Sequence, residues 1–137
     1  MSKKLVVERD VGNEFETGSR IITAAELDMF CTITGNRLDA FLIDEAAKAL
    51  GFRERVVPGS FIFALVFGLL GERLNGHVHV ATNNMKVLAP LYPYDRAKVA
   101  VKVIDKKESS KGERTFVTWA WAVKNQDDVI IAQGENT

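Results

Sequence analysis

Two backbone amides in this sequence are placed where they could bind a developing negative charge. Gly59 and Ser60 follow Pro58 and open a long apolar stretch, so their N–H groups would begin a helix without an internal acceptor. Amides at a helix N-terminus can hold an oxygen that becomes negative during a reaction. From these residues alone, a glycine hinge capped by the Ser60 hydroxyl is the competing interpretation.

The two histidines of the chain, His77 and His79, form a His-x-His pair. A strand would place both on one face, where they could contribute to a metal site or to catalysis. No further cysteine, histidine or carboxylate follows at ligand spacing, so we expect neither a metal nor a cofactor. Cys31, the one cysteine, lies on the apolar stripe of a predicted helix, which favours buried packing over a role as nucleophile.

These groups must be positioned by one central helix and one sheet. Residues 61–70 are all apolar or glycine, which predicts a helix buried on all sides. The stretch is too short for the roughly 20 residues that cross a bilayer. Alternating polar and apolar positions then predict strands at 77–88, 96–106, 113–124 and 128–133. The order predicts an α+β fold, with an antiparallel sheet wrapped around a central apolar helix.

Local signals set several element boundaries. Thr23 and Glu26 form a capping box that opens a helix ending at Gly35, and Asp44 is expected to cap a second helix at 45–50. Ser60 is expected to cap the central helix. Residues 5–7 and 20–22 are short apolar runs that could form edge strands or extended arms.

The strand predicted at 113–124 has one large and one small face. Val117, Trp119, Trp121 and Val123 form the large row, opposite a row that includes Ala120 and Ala122. Small residues allow a helix to lie close to a sheet, so we expect the small row to face the central helix. The tryptophans are then core or subunit-interface residues.

Composition limits the classes of partner. The chain has 137 residues, 18 basic and 18 acidic side chains and a formal net charge of zero, which argues against nucleic acid or an anionic membrane. A length of 137 residues predicts a single domain, 1–137. Neutrality with 47% hydrophobic residues indicates that another subunit covers apolar surface. The single cysteine is compatible with a cytoplasmic protein.

Taken in order along the chain, the motifs resemble those of the MaoC-like dehydratases, hot-dog-fold proteins that act on acyl thioesters. The resemblance spans residues 15–135. It includes Thr-Gly at 34–35, Asp-Glu-Ala-Ala-Lys at 44–48, Val-Val-Pro-Gly-Ser at 56–60 and Val-Leu-Ala-Pro at 87–90. It implies a hot-dog fold, an acyl thioester of coenzyme A or of a carrier protein as ligand, and reversible hydration of an enoyl thioester.

The catalytic motif of that family is altered in this chain. The family reads Gly-Asp-x-Asn-Pro-x-His and uses the Asp and His as its acid–base dyad, whereas residues 35–41 read Gly-Asn-Arg-Leu-Asp-Ala-Phe. Asn36 and Phe41 occupy the dyad positions, and neither can accept a proton. Three alternatives follow: a hydratase that uses a displaced acid, with Asp39 nearest; an acyl-thioester binder or partner subunit of a heteromer; or a thioesterase.

The resemblance also implies roles for individual residues. We expect Asn36, Asp39 and Gly59 to carry the chemistry, with Phe41, Val57, Pro58 and Ser60 binding the acyl thioester. Three basic residues, which on their own would be ordinary surface, could meet the phosphates of coenzyme A: Arg53, Arg55 and Lys86. In the family the acyl pockets lie at a subunit interface, so we expect a homodimer or larger oligomer, or a heteromer with a dyad-containing relative.

Overall fold

The computed structural model, which describes residues 3–137, is built from a six-stranded antiparallel sheet and four α-helices. The helices are α1 (Ala24–Thr34), α2 (Asp39–Leu42), α3 (Asp44–Ala49) and α4 (Gly59–Leu70). The strands are β1 (Glu14–Glu16), β2 (Arg20–Ile21), β3 (Thr82–Val87), β4 (Arg96–Glu108), β5 (Thr115–Lys124) and β6 (Ile130–Asn136). The order across the sheet is β1-β4-β5-β6-β3, and β2 also pairs with β4. The predicted α+β architecture is confirmed.

The central helix α4 packs against the sheet through one wide face. Its buried side chains are Phe61, Ile62, Leu65, Val66 and Leu70, and they share one core with the inner row of the sheet. Ala64 and Gly68 on the opposite side are exposed. The prediction of a helix buried on all sides is therefore wrong for the isolated chain. None of the helices within residues 3–137 is long and apolar enough to cross a membrane.

The inner face of β5 is the large one, which reverses the prediction. Trp119 and Trp121 are 3% and 2% exposed and lie in the core beside α4, where the Phe63 ring is 5.9 Å from that of Trp121. Ala120 and Ala122 lie on the outer face. The curled sheet stands off from the helix, and the indoles fill the space that smaller side chains would leave empty.

The capping box at the start of α1 is confirmed, since the Thr23 hydroxyl accepts from the amide of Glu26. The helix ends at Gly35 in the left-handed conformation, with a φ of 73°. Cys31 is buried, and this burial raises the pKa of its thiol. The cap predicted at Asp44 is wrong, because its carboxylate accepts from the amide of Arg55 at 3.0 Å instead.

The chain before α1 differs from the prediction in two places, and the strand predicted at 77–88 begins later than expected. Residues 5–7 do not form a strand, because Val6–Glu8 is a 3-10 turn in which Glu8 accepts from the amide of Leu5. β1 lies in a polar segment for which no strand was predicted, and β2 confirms an edge strand in the apolar run at 20–22. The first long strand begins at Thr82 rather than at residue 77.

A charge cluster on the outer face ties β1 and the β5–β6 turn to β4. The ammonium of Lys98 lies 3.2 Å from Glu16 and 2.7 Å from Asp128. The hydrogen bonds from Lys98 lower the pKa of both carboxyls, with Lys124 adding to the effect at Glu16. Hydrogen bonding to Asp128 and Glu16 raises the pKa of Lys98.

Replacing Lys98 with methionine is expected to lower the melting temperature slightly near neutral pH. Carboxyls with a lowered folded-state pKa stabilise above their ordinary pKa, and this contribution is lost as pH falls through the folded value. The difference between wild type and Lys98→Met should therefore shrink below about pH 4. Lys102→Met is the control, because Lys102 lies 3.9 Å from Glu14 in a looser pair. A difference that is constant with pH would contradict the ion-pair origin.

Candidate functional site

The N-terminus of α4 presents free amides. Pro58 is the N-cap residue and has an extended backbone, and the amides of Phe61 and Ile62 both donate to its carbonyl at 3.0 Å. The amides of Gly59 and Ser60 have no acceptor within residues 3–137. These two N–H groups can therefore bind a ligand oxygen at the positive end of the helix dipole.

The segment before α4 is held on both sides by backbone hydrogen bonds. The amide of Val57 donates to the carbonyl of Leu91 at 2.9 Å, and that of Val56 donates to Ala40 at 3.1 Å. Val57 and Pro58 are buried. The predicted binding residues Val57 and Pro58 thus form the floor that positions the first turn of α4, rather than an exposed contact surface.

Asn36 reaches the same helix end from the loop after α1. Its amide group Nδ2 donates to the Ser60 hydroxyl at 3.3 Å, and its backbone N–H donates to the Thr34 hydroxyl at 3.2 Å. Ser60 does not cap α4 as predicted, because the helix already begins at Gly59 and its N-cap residue is Pro58. With the Ser60 oxygen occupied as an acceptor, its hydroxyl proton can point to a ligand.

The edge of the sheet lines the other side of the site. A Cβ atom built on Gly59 would lie 3.2 Å from Cγ2 of Val87, at the end of β3. The close approach of Val87, rather than a left-handed φ, is what favours glycine at this position. The side of the helix end that would face a ligand is bordered by Asn36, on the loop after α1, and by Val87, on the edge strand β3.

The structure does not join Asp39 to this cluster. Asp39 is exposed at the first position of α2, and its carboxylate makes no hydrogen bond or ion pair within the part of the chain that the structure describes. Phe41 is half-buried and lies outside the main core. Of the predicted residues, Asn36, Gly59 and Ser60 come together, while roles for Asp39 and Phe41 stay predictions.

The basic residues near the site are partly engaged. Arg55 forms a 2.6 Å ion pair with Asp28, with its side chain only 17% exposed. Arg53 lies over the Tyr92 ring at 4.2 Å and beside Glu54. Arg55 therefore has a structural partner already, whereas phosphate binding by Arg53 and Lys86 stays a prediction.

His79 contacts groups that were not predicted from the sequence. It lies before β3 rather than within a strand, and its Nε2 is 3.1 Å from the Thr82 hydroxyl. Its ring lies 5.4 Å from the Phe67 ring. Within residues 3–137 no three metal-binding side chains are grouped. A cavity of about 710 Å³ beside His79 has mostly apolar walls, including Phe67, Val78, Val80 and Trp119.

Comparison with known proteins identifies the family and the fold. A family model described as "FAS1-like, dehydratase domain region" matches residues 9–134. One similar solved structure is a MaoC-like dehydratase from Rhodospirillum rubrum, with a TM-score of 0.83 and 19% identity over 98% of this chain and 94% of that one. An (R)-hydratase from A. caviae has a TM-score of 0.79 and 22% identity over 93% of this chain and 94% of that one. The HadBC 3R-hydroxyacyl-ACP dehydratase complex from Mycobacterium tuberculosis has a TM-score of 0.78 and 18% identity over 92% of this chain and 93% of that one. No curated protein matches by sequence. These likenesses confirm the hot-dog fold.

Proposed function

The chain belongs to the FAS1-like dehydratase-domain family, and from this we propose that it binds an acyl thioester at the N-terminus of α4 and interconverts enoyl and 3-hydroxyacyl forms. The observation that carries the proposal is the pair of free amides at Gly59 and Ser60. The acyl carrier is coenzyme A or a carrier protein. A free, buried Cys31 accords with a cytoplasmic location as part of this proposal.

The chemistry of hydration explains why these amides matter. When water adds to C3 of an enoyl thioester, the electrons of the double bond move toward the thioester oxygen, which becomes negative. Two amides aimed at that oxygen stabilise the charge only when it develops, which lowers the barrier. Asn36, fixed by Ser60, is placed to orient the water or the substrate carbonyl but not to take a proton.

A second candidate function follows from the altered dyad. Asn36 and Phe41 occupy the positions where the family's acid and base are expected, so the chain could bind the thioester while a partner subunit supplies the dyad. A heteromeric dehydratase is among the similar structures. This alternative predicts binding without turnover by the isolated chain.

The test is to mix the purified chain with a short enoyl coenzyme A, follow the loss of the enoyl absorbance, and measure binding in parallel. Turnover supports the hydratase, and tight binding without turnover supports the partner subunit. Release of free thiol would indicate a thioesterase instead. Neither binding nor turnover, with the carrier-protein thioester also tested, would overturn the proposed function.

A further inference from the structure

A chain of hydrogen bonds fixes which nitrogen of His79 carries its proton. The Trp121 indole can only donate, so the atom of Asn136 that it meets at 3.1 Å is the side-chain oxygen. The Thr82 hydroxyl lies 2.9 Å from the same oxygen and must donate to it. The Thr82 oxygen is then the acceptor for His79 Nε2–H at 3.1 Å. In the neutral imidazole this network places the proton on Nε2, so that Nδ1 is the nitrogen with the free lone pair.

The anchor of this network is buried and specific. Trp121 is 2% exposed and Asn136 is 1% exposed. The side-chain oxygen of Asn136 accepts both bonds, whereas its Nδ2 has no partner within residues 3–137. The two bonds fix the orientation of the group they reach. His79 itself stands at the surface, at the mouth of the 710 Å³ cavity. An oriented base next to an apolar cavity is unexplained by the packing of one chain.

Within one chain, His79 lies at the wrong end of α4 to serve the site. Its ring packs on Phe67 and is 6.1 Å from that of Phe63. Phe67 is eight residues beyond Gly59, which is about 12 Å along a helix. The base and the free amides of a single copy are therefore separated by most of the length of α4.

The free edge of β3 is suited to pairing with a second copy. β3 is the edge strand of the sheet, and apolar side chains in it and on either side of it are exposed: Val78 83%, Val80 60%, Val87 52% and Leu88 54%. Such an edge is a template for another strand. Lys86 is the one charged residue in 80–89. Antiparallel pairing about the centre of this segment sets Lys86 opposite Asn83 of the other copy, so like charges do not meet.

The same two-fold pairing joins the two halves of the site. Thr82 pairs with the buried Asn136 and Val87 pairs with the buried Ala132, so both side chains face the helix side of the sheet. Self-pairing sets Thr82 of one copy opposite Val87 of the other, with Cβ atoms about 5 Å apart. Since Gly59 lies on Val87, His79 of one copy comes beside the α4 amides of the other.

We propose that His79 is the general base of a composite site, in which the second copy of this chain supplies the amides of Gly59 and Ser60. The proposal rests on the hydratase function above. The water oxygen bonds to C3, one water proton passes to Nδ1, and the double-bond electrons move to the thioester oxygen held by the amides. The imidazolium then returns the proton to C2 as the carbonyl reforms, so atoms and charge balance. The apolar cavity beside His79 takes the acyl chain.

Subunit complementation tests the composite site. His79→Asn is expected to lower kcat by about 10²–10⁴-fold, and Gly59→Pro removes one of the amides. After subunit exchange between the two inactive variants, half the dimers are mixed and each has one intact site, so activity should recover to about a quarter of wild type. No recovery, in mixtures shown to exchange, would overturn the proposal. A loss of kcat of about 10²–10⁴-fold in Asp39→Asn, together with an unchanged kcat in His79→Asn, would also overturn the proposal.

A second experiment does not depend on activity. Chains carrying Ser60→Cys or His79→Cys are mixed and treated with a short bismaleimide, with each variant alone as the control. A cross-linked dimer specific to the mixture supports the juxtaposition, and its absence overturns it. If wild type neither binds nor turns over thioesters, the proposed function fails together with the role of His79 as base, while cross-linking still decides whether the edges pair.

The hydrogen-bond network has its own signature. Thr82→Val removes the hydroxyl that accepts from Nε2, so we expect a lower kcat with little change in KM, and recovery in Thr82→Ser. A purely structural role for Thr82 would instead lower the melting temperature and leave kcat per folded site unchanged. That result would overturn Thr82 as a positioning residue.

Discussion

Replacing Gly59 with proline is expected to lower kcat for enoyl hydration by about 10²–10³-fold, the usual effect of losing one oxyanion donor. Proline is favoured at the first position of a helix because the N–H it lacks has no helical acceptor. The preceding residue, Pro58, is already extended at φ −60° and ψ 147°, as a residue before proline requires. The substitution therefore removes a ligand-binding group without removing a bond that holds the helix.

The matched control is Gly59→Ala. Both substitutions add a Cβ that meets Val87 at 3.2 Å, the end of a side chain that can move by a few tenths of an ångström. Alanine keeps the N–H, so the ratio of kcat between the two variants reports the replacement of the N–H by the proline ring. Denaturation midpoints should agree between them. Equal kcat values in Gly59→Pro and Gly59→Ala would show that the amide does not act on the thioester oxygen.

The parts of the fold that sequence could predict are those set by local or periodic signals. The Thr23–Glu26 box and the left-handed Gly35 act within a few residues of chain, so they fix α1 without outside help. β4 and β5 alternate over long runs, and that alternation marks a sheet with one buried face. The central helix follows from uninterrupted apolar sequence.

The wrong predictions about element boundaries, caps and strand faces have a common physical cause. In each case the outcome depends on partners that are distant in sequence. β1 has little strand signal of its own and forms because Phe15 pairs with Val101. Ser60 has the right type for a cap, but α4 begins one residue earlier, at Gly59, and the Ser60 oxygen accepts from Asn36, which lies 24 residues before it in the chain. The orientation of the β5 faces depends on how far the whole curled sheet stands from α4, which no short window contains.

The site shows the same division. The motif comparison singled out Asn36, Gly59 and Ser60, which the structure brings together, because they are contiguous with recognisable sequence. His79 was visible only as part of a His-x-His spacing, whereas its orientation depends on Thr82 and, through it, on Asn136, which lies 54 residues further along the chain. A side chain oriented by a network across three strands leaves no short motif.

The largest effect on stability is expected at Gly134, which lies in β6 directly across from Trp121. A Cβ at this position would be 2.7 Å from Cζ2 and 3.0 Å from Cε2 of the indole. Contacts this short cannot persist, so the indole must shift in a closely packed core. Gly134→Ala is therefore expected to lower the free energy of unfolding by about 1–3 kcal/mol, the range for overpacked cores.

A double-mutant cycle separates this clash from a general intolerance of β6 to substitution. Trp121→Phe replaces the indole with a smaller ring and removes the atoms that crowd Gly134, so Gly134→Ala should cost less in that background. Gln133→Ala, at an exposed neighbouring position, is the control and should have little effect. The free energies come from chemical denaturation of each variant. Additive costs would mean that the glycine is needed for something other than the indole. A coupled result would mean that Gly134 leaves the room that the Trp121 indole needs. That indole is the first donor in the chain of hydrogen bonds that reaches His79, so Gly134→Ala should then disturb both the stability of the fold and the orientation of His79.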